Sequence, residues 1–284
     1  MAAPSLSRRE MLGALGATVL CGYHAPAMGA GFGSRRISVT VRGNGHDVIL
    51  IPGLTATRAV WGETVQMLPG YRYHMVQLAG FAGDAVLDNG KGPVVEPVAR
   101  EIVRYIIAAE LKAPALVGHS MGGLISLMIA ARWPTRTART MVVDMLPAPT
   151  SGLGGSVSGM RPLANGLRDV LTGSSEGRQL FGSLMGMFSP PAQTKSDPDM
   201  VARALHDIAL TDLRPELGRI TTPLSVVYAT VPGAQYDAAT VDRIYRDAYR
   251  TAPKAQLHRI AGAGHMIMTD KPQRFSATLK SFLD

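Results

Sequence analysis

Cysteine is almost missing from this chain: Cys21 is the only one in 284 residues. A disulfide framework is therefore excluded, and so is a zinc site built on paired cysteines. No H-E-x-x-H occurs, no Cys/His cluster has metal-ligand spacing, and no G-x-G-x-x-G opens a helix. Neither a metal nor a nucleotide cofactor is expected. Charged residues make up only 18%, and the excess that gives a net charge of +8 is mostly arginine scattered along the chain. Without a basic block interleaved with aromatics, nucleic acid is not an expected partner. There is no internal repeat. The apolar stretch from Met11 to Gly22 is too short to cross a bilayer, so no stable membrane insertion is expected. A hydrophobic fraction of 46% indicates a globular protein with a well-buried core. Nothing in the sequence sets an oligomeric state.

The N-terminus has the order of an export signal. Ser7-Arg8-Arg9-Glu10-Met11-Leu12 has the form of a twin-arginine motif, and the apolar Gly/Ala-rich stretch follows it. Ala25-Pro26-Ala27 then provides an A-x-A cleavage site. Residues 1–27 are read as this signal, which places the mature protein in the periplasm or outside the cell. Cleavage there would remove Cys21 and lower the net charge from +8 to +7. A protein without disulfides suits a route that moves chains already folded.

Ser120 organises the rest. Ala115 to Val117 reads as a short buried strand, and Leu124 to Ala131 as a helix packed through Leu, Ile, Met and Ala. Between them stands Gly118-His119-Ser120-Met121-Gly122, a G-x-S-x-G turn. A strand that reverses into a helix holds the serine in a strained backbone, and bulk at the glycines would collide with the neighbouring elements. Further strands are expected at Arg36–Val41, Val48–Ile51, Tyr73–Leu78, Arg139–Val143, Pro223–Tyr228 and Gln256–Ile260. Helices are expected at Trp61–Leu68, Pro93–Leu111, Ala238–Tyr249 and Pro272–Leu283. Alternation of this kind predicts an α/β fold with a mostly parallel sheet and helices on both faces. Trp61 reads as a core residue. From Ala148 to about Thr222 the rhythm stops, and Met160, Met185, Met187 and Met200 accompany Leu180, Phe181, Leu184 and Phe188. Domain boundaries follow: first part of the core 28–147, insertion 148–222, second part of the core 223–284.

Ile51-Pro52-Gly53-Leu54, Gly80-Phe81-Ala82-Gly83, the serine turn and Gly264-His265 together resemble the α/β-hydrolase family in its single-domain esterase-like branch. The resemblance covers roughly Ile37 to Asp284. It implies the α/β-hydrolase fold, a helical cap in the 148–222 insertion, Ser120 as nucleophile and His265 as base. Leu54 and Met121 would donate backbone N–H groups to an oxyanion hole. His119, inside the turn, is expected to be structural, and His46, His74, His206 and His258 offer no pairing pattern.

The acid departs from the commonest family pattern. The loop after Tyr228, where most relatives carry it, reads Ala229-Thr230-Val231-Pro232-Gly233 and has no carboxylate. Asp237 is the nearest, just before a helix that it could equally cap. Asp144, 24 residues after Ser120 at the end of the next strand, is where some branches place the acid. It is the expected triad member, with Asp237 as the alternative. The implied activity is hydrolysis of a small, largely apolar carboxylic ester, and the same residues would serve a lactone. An amidase or aminopeptidase would use them too, but Asp169, Glu176, Asp197 and Asp199 form no obvious cluster to hold a substrate amine. A non-catalytic binding protein on this fold would typically have lost Ser120 or His265.

Overall fold

The computed structural model describes residues 32–150, 195–234 and 236–284. The export signal lies outside the described residues, as does 151–194 of the expected cap, with Met160, Leu180, Phe181, Leu184, Met185, Met187 and Phe188.

Seven strands form one sheet: β1 (Ile37–Arg42), β2 (His46–Ile51), β3 (Tyr71–Leu78), β4 (Ala115–His119), β5 (Arg139–Val143), β6 (Leu224–Thr230) and β7 (Ala255–Ala261). Their order is β1-β3-β2-β4-β5-β6-β7. Only the β1–β3 pair is antiparallel, with Ile37 opposite Leu78; the others run parallel. β4 is central and buried at all of its residues, as a parallel strand covered on both faces should be. The chain thus has the α/β-hydrolase fold expected from its sequence.

Helices α1 (Gly62–Met67), α2 (Val95–Ala108), α3 (Met121–Arg132), α4 (Pro198–Leu210), α5 (Ala238–Ala248), α6 (Ile267–Asp270) and α7 (Pro272–Leu283) cover the sheet. α2 shows why such a segment is helical: Val95, Val98, Ala99, Ile102, Val103, Tyr105 and Ile106 recur at three- and four-residue spacing and are all buried. Each large side chain of this kind contributes about 1.5–3 kcal/mol when fully buried. α3 is apolar all round and buried from Met121 to Ala131, because it packs on β4, β5 and α2 together. On the opposite face Trp61 is fully buried against Phe275 of α7, at 6.2 Å between rings. Trp61 is therefore a core residue.

The expected helix Trp61–Leu68 is a 3-10 turn, Arg58–Trp61, followed by the shorter α1. α4 falls inside the 148–222 insertion. Asp197 caps it by accepting the Met200 N–H at 2.7 Å, and Met200 is fully buried. A Cβ on Gly80 would stand 2.2 Å from the Met200 sulfur, so this methionine packs on the body of the protein.

Parallel pairing brings the carboxyl ends of the strands to one edge. Ile51 pairs with Gly118, and His119 with Val143. The segments that follow β2, β4, β5 and β7 therefore open together there. In open α/β sheets this edge is where ligands bind.

Candidate active site

Ser120 has φ 52° and ψ −122°, a conformation that a residue with a side chain rarely adopts. Such strain costs on the order of 1–3 kcal/mol and persists only where the surroundings over-determine it. Here the Ser120 N–H donates to the Val143 carbonyl at 2.8 Å, and the Ser120 carbonyl accepts the Leu124 N–H at 3.1 Å. The flanking glycines are required by space. A Cβ on Gly118 would lie 2.0 Å from the Gly122 carbonyl oxygen, and one on Gly122 would lie 2.3 Å from that of Ile51. Met121 begins α3, so its N–H is among those for which a helix provides no internal acceptor.

The loop after β2 lies against this turn. A Cβ on Gly53 would stand 3.1 Å from Ser120 Cβ and 2.9 Å from His119 Nδ1. Glycine at 53 lets the backbone leading into Leu54 approach the serine. The two expected oxyanion donors thus belong to segments that touch.

His265 follows β7, and its side chain is 52% exposed. Its Nδ1 lies 2.8 Å from Asp144 Oδ2. An ionised carboxylate only accepts, so Nδ1 carries the hydrogen in this pair and Nε2 is left as the basic nitrogen. Asp144, immediately after β5, is only 16% exposed and has φ 54°. Its Oδ1 accepts the Ala229 N–H and the Tyr245 hydroxyl, each at 3.1 Å. Asp237 stands apart. It is exposed and caps α5 by accepting the Thr240 N–H at 2.7 Å. The structure therefore joins Asp144 to His265 and leaves Asp237 at a helix end.

His119 is more closely involved than its place in the motif suggested. It is buried, its Nε2–H donates to the His265 carbonyl at 2.8 Å, and the two rings are 4.6 Å apart. Its Nδ1 has no hydrogen-bond partner among the described residues. Burial, helped by the neighbouring His265, pushes its pKa down to about 3, so the ring is neutral near pH 7. The His265 loop is tied a second time, where the Gly264 N–H donates to Asp270 Oδ2 at 2.8 Å.

His74 does have partners, contrary to expectation. It is buried on β3 with Tyr105 Oη 2.6 Å from Nδ1 and Asp47 Oδ1 2.9 Å from Nε2. Desolvation lowers its pKa despite Asp47, and the group lies at the opposite, amino-terminal region of the sheet. The sequence signal was slight, since 27 residues separate His74 from Asp47. A groove of about 740 Å³ between Asp212, Arg214, Asp247 and Arg250 shares no residue with the serine site. Among the described residues no group of His, Cys, Asp and Glu could hold a metal ion, and no helix is long and apolar enough to cross a membrane.

This fold, with a strained serine between β4 and α3 and a His–Asp pair on the same edge, defines the class. Residues 48–278 match the model of the alpha/beta hydrolase family, and the chain belongs to that family. Among its relatives is a pimeloyl-[acyl-carrier protein] methyl ester esterase of Photobacterium profundum. That protein is 26% identical over 261 residues, which span 85% of this chain and 96% of the relative. An N-formylmaleamate deformylase of Pseudomonas putida is 25% identical, over 89% of this chain and 94% of its own. MenH from S. aureus shares the fold with a TM-score of 0.70 at 17% identity, over 88% of this chain and 98% of that one.

Proposed function

We propose that the protein is a serine hydrolase that cleaves carboxylic esters of small, largely apolar molecules through Ser120, His265 and Asp144. The observation that carries the reading is the 2.8 Å contact between His265 Nδ1 and Asp144 Oδ2, on the edge where Ser120 tops its turn. Esterase relatives support the reaction class.

In this reading Ser120 Oγ attacks the ester carbonyl carbon while His265 Nε2 takes its proton. Negative charge develops on the carbonyl oxygen, and the N–H groups of Leu54 and Met121 receive it. Collapse of the tetrahedral intermediate breaks the bond to the alcohol oxygen, which takes the proton from His265 and leaves. Water, deprotonated by His265, then attacks the acyl-enzyme; collapse breaks the bond to Ser120 Oγ, which regains a proton from His265 as the carboxylic acid leaves. Asp144 keeps the imidazole in the productive tautomer and stabilises the imidazolium that forms twice in the cycle. The preference for apolar groups is read from the Met, Leu and Phe content of the sequence between 148 and 222. No cofactor enters these steps.

A fluorophosphonate probe is expected to label Ser120, and p-nitrophenyl esters with neutral short-to-medium acyl chains are expected to turn over faster than charged ones. Absence of an adduct would instead favour a binding protein. Similarity to the deformylase keeps amide cleavage as a second reading, and faster turnover of amino-acid amides than of esters would promote it.

The same proposal places the enzyme in the periplasm or outside the cell, delivered by residues 1–27. Replacing Arg8 and Arg9 together with lysine is expected to leave full-length protein in the cytoplasm. Unchanged delivery, measured by fractionation, would rule out the twin-arginine route.

A further inference from the structure

Asp144 is an unusual seat for a carboxylate. It is mostly buried, follows a strand end, and has a left-handed backbone angle of 54°. Its terminal torsion is intrinsically broad, since rotation about an sp³–sp² bond has no deep staggered wells. Something must therefore fix the plane of the carboxylate if Oδ2 is to meet His265 squarely. Oδ2 itself is committed to the histidine, so the restraint has to act on Oδ1.

Two donors meet there. One is the Ala229 N–H of β6, at the place where the commoner family pattern would have put the acid itself. The other is the hydroxyl of Tyr245. Tyr245 comes from α5 and is 8% exposed. Its ring is stacked on Tyr228 of β6, with centroids 4.2 Å apart and planes 14° from parallel. The Tyr249 ring lies 6.4 Å away and 6° from parallel. The hydroxyls of Tyr228 and Tyr249 each have their own acceptor. Tyr228 donates to Asp242 Oδ1 at 2.7 Å, and Arg259 holds Asp242 Oδ2 at 2.9 Å. Tyr249 donates to the Met145 carbonyl at 2.7 Å. Residues four apart lie on one face of a helix, so Tyr245 and Tyr249 grip two consecutive residues, Asp144 and Met145, from one direction.

Taking the triad proposed above as its basis, we infer that Tyr245 is a positioning residue for the catalytic acid. Its hydroxyl holds Asp144 Oδ1 and thereby sets the direction in which Oδ2 faces His265. Burial, with Asp144 beside it, keeps the Tyr245 phenol far above its ordinary pKa, so it stays a donor. The Tyr228 ring stacked on it keeps the phenol from swinging away. The acid is thus seated jointly by β6 and α5, neither of which contributes a group that touches the substrate carbonyl in the proposed reaction.

Tyr245→Phe tests this in the full-length enzyme, because it keeps the ring and the stack and removes only the donor. The expected result is a fall in kcat of about tenfold, the scale of one hydrogen bond to a charged group. KM should change by less than about twofold, since the effect is on chemistry and not on uniform binding. In an Asp144→Asn background the same change should cost nothing further. Tyr228→Phe removes a hydroxyl from the same stack without touching Asp144 and should leave kcat unchanged. Full activity of Tyr245→Phe, alongside a crippled Asp144→Asn, would overturn the inference and spare the triad. An equal loss in the Asp144→Asn background, or the same loss in Tyr228→Phe, would also overturn it, by showing that the effect does not pass through Asp144. Wild-type activity in Asp144→Asn would instead remove the triad reading itself.

Discussion

Ser120→Ala and His265→Ala are each expected to lower kcat by about a millionfold, with the double variant no worse than either alone. The non-additivity follows from the mechanism. Without the hydroxyl there is no nucleophile for the imidazole to deprotonate, and without the imidazole the hydroxyl is a poor nucleophile. Both variants should fold. Alanine at 120 meets the same left-handed backbone that serine already tolerates, so no new strain arises. The His265 side chain is half exposed, and the loop is tied through its backbone: the His265 carbonyl to His119 and the Gly264 N–H to Asp270. Steady-state rates with circular dichroism as the folding control provide the check. More than a few per cent of residual activity in a folded variant would sink the assignment.

Asp144→Asn is expected to cost about 10⁴ in kcat, the loss seen when a comparable triad acid is made an amide. An asparagine can turn its NH₂ toward His265, which would make Nδ1 the acceptor and put the hydrogen on Nε2. The imidazole then cannot take the Ser120 proton. Asp237→Asn should leave kcat near that of the wild type. Its carboxylate caps α5, and asparagine caps about as well as aspartate. Measuring the two side by side separates the candidates. A crippled Asp237→Asn with an active Asp144→Asn would return the acid to the loop after β6.

The frame of the molecule was legible because its signals are local. Gly118 and Gly122 mark two positions of a tight turn where no side chain fits, and short apolar runs such as Ala115–Val117 can only be buried strands once helices alternate with them. The antiparallel edge strand and the extended bounds of β3 changed little. Pairing across the sheet was harder to read. Asp144 could be weighed against Asp237 by strand position, yet only the folded chain puts one of them 2.8 Å from His265. Nothing in the sequence singles out Tyr245 and Tyr249 within the expected helix Ala238–Tyr249, because a buried phenol and a buried phenyl leave the same periodicity. His119 gave no sign of its partner, which is a backbone carbonyl 146 residues away. Contacts of that kind depend on tertiary closure and have no sequence spacing to betray them.

In the proposed triad the loop between β6 and α5 carries none of the chemistry. The acid of that triad, Asp144, follows β5, so Val231 and Tyr236, 49% and 43% exposed, have no histidine to orient. The loop can therefore change in length or side chains without altering the order of events at the serine. One boundary limits that freedom. Asp237 fixes the first turn of α5, and a change that slipped the helix would carry the Tyr245 hydroxyl out of reach of Asp144. Variation upstream of the cap is a matter of surface and substrate access; variation beyond it becomes a matter of catalysis. The proposed triad thus leaves 231–236 as a graft point, where new specificity could be tried with the old chemistry intact.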